Sequence, residues 1–197
     1  QWQAPEGSAE VAETSGSDKL SVDERFEAAH QAFQKQQWLQ AAADFQRLAD
    51  EAKTDARHDQ ILYFLGWSLR EQDKLAEAKL AWEQMLTLHL NSPWVARCQF
   101  HLGEAEYHAV NYPRAAERFQ LAKTVATETP LRRSAMYMEA WSELQLNEFD
   151  LAKQKFQSII DDAPAEDREL PLVLEAYGLV GQCDFQAGKL AESLQTF

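Results

Sequence analysis

His101, Glu104 and His108 stand at i, i+3 and i+7 in the stretch FHLGEAEYH. Two imidazoles and a carboxylate are ligands that zinc or a similar ion accepts, and on a helix these offsets share one face. A straight helix separates i from i+7 by about 10 Å, too far for both rings to reach one ion. Glu104 and His108 make a good i, i+4 pair without any metal. The three therefore read as a helix surface, and neither a metal nor another cofactor is expected. The remaining acid/base candidates are the adjacent carboxylates Asp161-Asp162 and Glu166-Asp167. Paired acids become catalytic only inside a pocket that shifts one pKa, and these fall in what reads as a solvated loop. None of G-x-x-x-x-G-K-[ST], G-x-S-x-G, H-E-x-x-H or Cys-x-x-Cys occurs. No catalytic residue is expected.

Charge narrows the partners. The net charge of −13 argues against nucleic acid, because phosphate binding needs clustered Lys and Arg. The single compact basic pair, Arg132-Arg133, reads as a solvated helix start. With 45% hydrophobic and 11% aromatic residues in 197, the chain can build a packed core. No apolar run approaches the ~20 residues that a membrane span requires. Cys98 and Cys183 fall in the first helices of different repeats and read as small buried residues, not as a disulfide.

The elements that must position these side chains are helices, because four columns of residues recur through five copies. Phe45, Trp82, Phe119 and Phe156 lie 37 residues apart, and Phe197 follows after 41. In step with them come small residues at Ala41, Ala78, Ala115, Ala152 and Ser193, and bulky ones at Trp38, Leu75, Tyr112, Phe149 and Leu190. Ala29, Gly66, Gly103, Ala140 and Gly181 complete the set. Each copy predicts a helix, a short turn and an antiparallel helix, with the small residues allowing close approach and the bulky ones filling the seam. Gly103 costs about 1 kcal/mol of helix propensity, justified if a side chain there would push the neighbouring helix away. Pro113 belongs in the first turn of a second helix, where its missing N–H does no harm.

Ten helices are expected, over 22–36, 39–53, 56–72, 75–89, 93–109, 113–127, 131–146, 149–162, 170–187 and 189–197. They group into copies at about 22–55, 56–92, 93–129, 130–168 and 169–197, sharing one continuous core. Ser21 is the expected N-cap of the first helix; Ser92-Pro93, Thr129-Pro130 and Leu170-Pro171 mark later first-helix starts, with Ser92 and Thr129 as caps. The extra four residues of the last step fall in DDAPAEDRELP, Asp161 to Pro171, where a local bulge is expected. Residues 1–21 read as a flexible acidic tail tethered by Trp2 and Leu20. Because the chain opens on Gln1 and ends at Phe197 inside a second helix, a piece of a longer protein is expected.

These columns resemble the tetratricopeptide repeat (TPR) family over residues 22–197. The family's Leu-Gly pair stands at Leu65-Gly66 and Leu102-Gly103, followed in the clearest copy by Tyr112, Ala115, Phe119 and Ala122. Ala28-Ala29 and Glu139-Ala140 replace that pair in copies one and four. The resemblance implies an all-α, right-handed α-solenoid of about five TPR-like hairpins that acts as a non-catalytic scaffold for a protein or peptide partner. The spacing of 37, with ILYFLGWSL and SPWVARCQFHLGEAEYH, is similar to that of a cell-envelope subgroup. That subgroup includes the periplasmic Tol-Pal-associated cell-division coordinator and the lipoprotein of the outer-membrane barrel-assembly machinery, which implies a periplasmic setting, with cytoplasm as the alternative.

In such a solenoid the first helices line a concave groove. Its expected lining is Phe26, His30 and Phe33; Tyr63, Trp67 and Arg70; Phe100, Glu104 and Tyr107; Tyr137, Trp141 and Leu144; and Gly178, Gln182 and Phe185. The partner-binding positions are Tyr63, Trp67, Arg70, Phe100, Glu104, Tyr107, Tyr137 and Trp141, although the Phe26, Tyr63, Phe100, Tyr137 column also suits packing between helices. Asp23, Gln60, Arg97 and Ser134 form a poor clamp for a terminal carboxylate. Two alternatives stand beside the scaffold: a structural subunit that self-associates through its unfinished fifth copy, and the repeat region of a longer enzyme or metal-handling protein. Crosslinks on second-helix lysines such as Lys79, Lys123 and Lys153 would count against the groove.

Overall fold

A computed structural model describes residues 20–167 and 170–196. Trp2, most of the expected tail and Phe197 lie outside the described residues. Among those described there are ten α-helices and no strand: α1 Val22–Gln34, α2 Trp38–Glu51, α3 His58–Arg70, α4 Leu75–Leu88, α5 Val95–His108, α6 Tyr112–Val125, α7 Thr129–Gln145, α8 Phe149–Asp161, α9 Pro171–Gln186 and α10 Leu190–Thr196. Each helix packs on the next, and first helices also touch across hairpins, α1 on α3, α5 on α7 and α7 on α9. No described helix is long and apolar enough to cross a membrane.

The repeated columns form the seam of each hairpin. Phe45, Trp82, Phe119 and Phe156 are fully buried, as are Ala41, Ala78, Ala115 and Ala152. A methyl group on Gly66 would lie 2.3 Å from the Trp82 ring, and one on Gly103 would lie 2.7 Å from Phe119. Glycine is therefore required where a ring lies flat against the opposite helix. Where the first-helix residue is Ala29 or Ala140, opposite Phe45 or Phe156, the methyl is accommodated and fully buried.

Capping follows the expectation at Ser21, whose hydroxyl accepts from the Glu24 N–H at 3.2 Å while Glu24 accepts from the Ser21 N–H at 2.8 Å. Pro113, Pro130 and Pro171 occupy first turns. Two caps differ. Ser92 sits before α5 with its hydroxyl donated to Asp59 at 2.6 Å, and Trp94 takes the N-cap place; Thr129 is already helical, behind Glu128. The Ser92 hydroxyl still accepts from the Trp94 N–H at 3.1 Å, just ahead of the helix, whereas at Thr129 the following proline sets the entry. The insertion forms a 3₁₀ turn at Ala165–Asp167, held to α7 by Arg133–Asp167 at 2.8 Å.

All five hairpins turn by the same device. Gln36, Asp73, Val110, Asn147 and Gly188 have φ near +60° to +78°, and the amide after each bonds back into the last turn of the first helix, as in Gln37 N–H to the Ala32 carbonyl and Asn111 N–H to that of Glu106. Only the last of these five residues is glycine. Val110 is β-branched, which makes it the most strained of the five. Val110→Asn is expected to stabilise the fold by about 1 kcal/mol; an unchanged or lower melting temperature would contradict this.

The core is not continuous as expected. One apolar cluster runs from Phe26 to Leu102 through α1–α5, and a second runs from Ala140 to Cys183 through α7–α9. Between them α6 packs against both α5 and α7, and Ala105, Phe119, Ala122 and Ala135 are all buried. Cys98 and Cys183 are buried free thiols, one in each cluster.

His58 is buried at the foot of the first cluster, its Nδ1 2.9 Å from His89 Nε2 and its Nε2 3.3 Å from the Ala49 carbonyl. One ring must accept while the other donates, and burial holds the His58 pKa below its usual 6.5. A depressed base stabilises the fold fully above 6.5 and less as pH falls through the folded value. Urea midpoints are expected to fall between pH 7.5 and pH 5, with a shallower fall in His58→Gln; equal falls would exclude His58 as the source.

Candidate functional site

The expected groove residues are carried by the first helices α1, α3, α5, α7 and α9, but the structure treats the two halves of the row differently. In the N-terminal half the side chains satisfy one another. Tyr63, expected to face a partner, is only 2% exposed. Its ring stacks on Trp94 at 4.5 Å, and burial raises its phenol above the ordinary value. The packing role of that column wins here, because Trp94 from the α4–α5 connection covers the ring. Trp67 is half-buried between Phe33, Tyr63 and His101. Arg70 lies 5.3 Å above Trp67 and donates to Glu104 at 3.1 Å and to Glu71 at 3.1 Å. Phe100 leans on Phe119, and Tyr107 on Tyr112.

His101 belongs to this network. It is buried against the Trp82 ring at 5.1 Å, with Nδ1 2.7 Å from Glu104 Oε2. His108 is exposed. His101 thus points into the core while His108 points out. Among the described residues no group of three or more potential ligands is placed to hold a metal ion.

In the C-terminal half a cavity of about 540 Å³ opens between α7 and α9, lined by Tyr137, Trp141, Leu179 and Phe185 with Glu175, Gly178 and Gln182. Helix periodicity builds it. Tyr137 and Trp141 are one turn apart on α7, while Glu175, Gly178, Gln182 and Phe185 follow one stripe of α9. Gly178 leaves the floor open, since a methyl there would meet nothing within 4 Å. Trp141 and Tyr137 stand edge-on to Phe156, which fixes their rings from behind. Phe185 is 61% exposed at one end. At the other, Tyr137 donates to Glu175 at 2.7 Å, and burial together with this bond raises its pKa to about 12. A rigid apolar wall with one carboxylate at its rim suits an apolar anchor residue accompanied by a hydrogen-bond donor or a cation. Glu175 and Leu179 were not among the expected residues; extending the Gly178 stripe by one turn in the sequence reaches Glu175.

Residues 137–197 match the sequence profile of the tetratricopeptide repeat family. No protein of curated function matches the chain in sequence. Among solved structures, MamA superposes with a TM-score of 0.72 at 16% identity, over 89% of this chain and 87% of its own. A structure of nearly identical TPR-like repeats from Podosopora anserina gives 0.67 at 17% identity, over 89% and 90%. A tetratricopeptide repeat protein from Parabacteroides merdae gives 0.63 at 16% identity, over 89% and 77%. At these identities the likeness establishes the fold, an all-helical solenoid of TPR-like hairpins.

Proposed function

We propose that this chain is a non-catalytic scaffold that binds a segment of another protein along its row of first helices, with the α7/α9 cavity as the principal anchor site. One observation carries this: Tyr137, Trp141, Leu179 and Phe185 form an open apolar cavity, whereas Arg70, Glu104 and Trp67 are engaged with each other. Repeated first helices form a preformed surface, which lowers the ordering cost of binding. The acidic balance of −13 favours a basic partner over nucleic acid. A bacterial cell-envelope setting rests on the 37-residue spacing together with the stretches ILYFLGWSL and SPWVARCQFHLGEAEYH; recovery of the protein in a cytoplasmic fraction would count against it.

Peptides selected for binding from a random displayed library supply the probe. Trp141→Ala is expected to weaken the selected peptides about 30-fold, the loss of a roughly 2 kcal/mol anchor. Leu121→Ala, on the exposed side of α6, should change nothing. Equal affinity in Trp141→Ala would reject the cavity as the anchor. Self-association is the competing reading, favoured by exposed Leu190 and Leu194 on α10; a concentration-independent monomer in light scattering would remove it.

A further inference from the structure

Helices α4, α6 and α8 each lie against the first helix of the following hairpin. Across α4/α5, Lys79 donates to Glu106 at 2.6 Å, and Glu106 is buried. Across α8/α9, Lys153 donates to both oxygens of Asp184 at 2.7 Å, and Asp184 is also buried. The acid recurs at the junction between these, as Glu143, 37 residues after Glu106 and 41 before Asp184. The lysine does not. Its place, 37 residues from both Lys79 and Lys153, is Ala116.

Glu143 keeps the buried position, with 6% of its side chain exposed, and receives Lys155 from its own hairpin on Oε1. Its other oxygen, Oε2, is buried with no hydrogen-bond partner among the described residues. Glu143 and Ala116 both line a cavity of about 600 Å³, so a small turn of the Glu143 carboxylate would present this oxygen to it. The wall carries four carboxylates, Glu117, Glu139, Glu143 and Glu148, against two ammonium groups, Lys123 and Lys155. Burying a carboxylate oxygen without a donor is unfavourable, and here the surplus of negative charge selects what can supply one.

We infer that this cavity is a socket for a primary ammonium group, delivered by a lysine side chain of a partner polypeptide along the path that Lys79 and Lys153 take at the neighbouring junctions. The ammonium would donate to Glu143 Oε2, with Glu117 and Glu148 nearer the rim. Glu143 and Trp141 point about 160° apart around α7, so the socket is separate from the peptide cavity and does not depend on it. Burial raises the Glu143 carboxyl above its ordinary value. Binding an ammonium favours the ionised form, so affinity should weaken as pH falls and Glu143 takes up a proton.

The test is a titration of the whole chain, followed by backbone amide NMR shifts, with Nα-acetyl-lysine N-methylamide and with n-butylammonium. Saturable shifts at Ala116 and Glu143 are expected with both compounds. Glu143→Gln should weaken them at least tenfold. Ala116→Lys should abolish them and raise the melting temperature, because its own ammonium then completes the pattern of the flanking junctions. Unchanged affinity in both variants would mean that the amine is held by the general acidic surface, and would overturn the socket. A lower melting temperature in Ala116→Lys would overturn the shared path. Binding of n-butylammonium alone would overturn the polypeptide source. If Glu143→Gln does not fold, Ala116→Lys decides the matter.

Discussion

Gly66→Ala is expected to destabilise the fold by about 3 kcal/mol, although alanine is the better helix former by about 1 kcal/mol. The reason is local. The added methyl would lie 2.3 Å from Trp82 Nε1 and 2.6 Å from its Cδ1, well inside contact distance. The ring cannot swing aside freely, because it is fully buried and donates to the Tyr63 carbonyl at 3.2 Å. Either that bond breaks or α3 and α4 separate, and both outcomes disturb the larger apolar cluster. Gly178→Ala is the matched control, since a methyl there meets nothing within 4 Å; it should stabilise by about 1 kcal/mol. Urea unfolding of the two variants measures both signs, and a Gly66→Ala protein as stable as Gly178→Ala would refute the seam.

Lys155→Met is expected to cost about 3 kcal/mol at neutral pH, through charge instead of shape. Lys155 donates to Glu139 at 2.7 Å and to Glu143, both of which are buried. Burial opposes the lysine's charge, but these bonds outweigh it and hold its pKa above the ordinary value. Without the ammonium, Glu143 loses its cation and Glu139 keeps Lys123 at 2.6 Å. Methionine preserves the stem's packing, so the loss reports on the charge. Its pH dependence has a defined sign: Glu143 already has a raised pKa, and protonation relieves the unpaired charge. The deficit should therefore shrink as pH falls towards 4.5, the carboxyl's ordinary value. Adding Glu143→Gln should recover part of it at pH 7. A deficit that grows on acidification would exclude this account.

The seam was legible in the sequence because sterics impose one residue type on each position. Gly66 and Gly103 stand where an added methyl would run into the Trp82 and Phe119 rings. The groove was less legible. Helical phase places Trp67 and Trp141 on equivalent stripes, but whether a ring is covered depends on the neighbouring connection. Trp94 seals Tyr63, while beside Trp141 the equivalent place is open enough to leave a cavity. Least legible were the ion pairs between helices. Lys79, Lys123 and Lys153 read as outer-face lysines, yet each neutralises a buried acid on an adjacent first helix. Nothing in a helical wheel marks Glu106, Glu139 or Asp184 as buried, since their partners are 16 to 31 residues away. These lysines are consequently poor crosslinking reporters of the outer face.

The most direct test of the scaffold reading is amide hydrogen exchange of the whole chain, with and without a library-selected peptide at saturation. Added protection is expected in α7 from Tyr137 to Trp141 and in α9 from Glu175 to Phe185, with α6 and α8 unchanged. Protection confined to α6, α8 or α10 would contradict it.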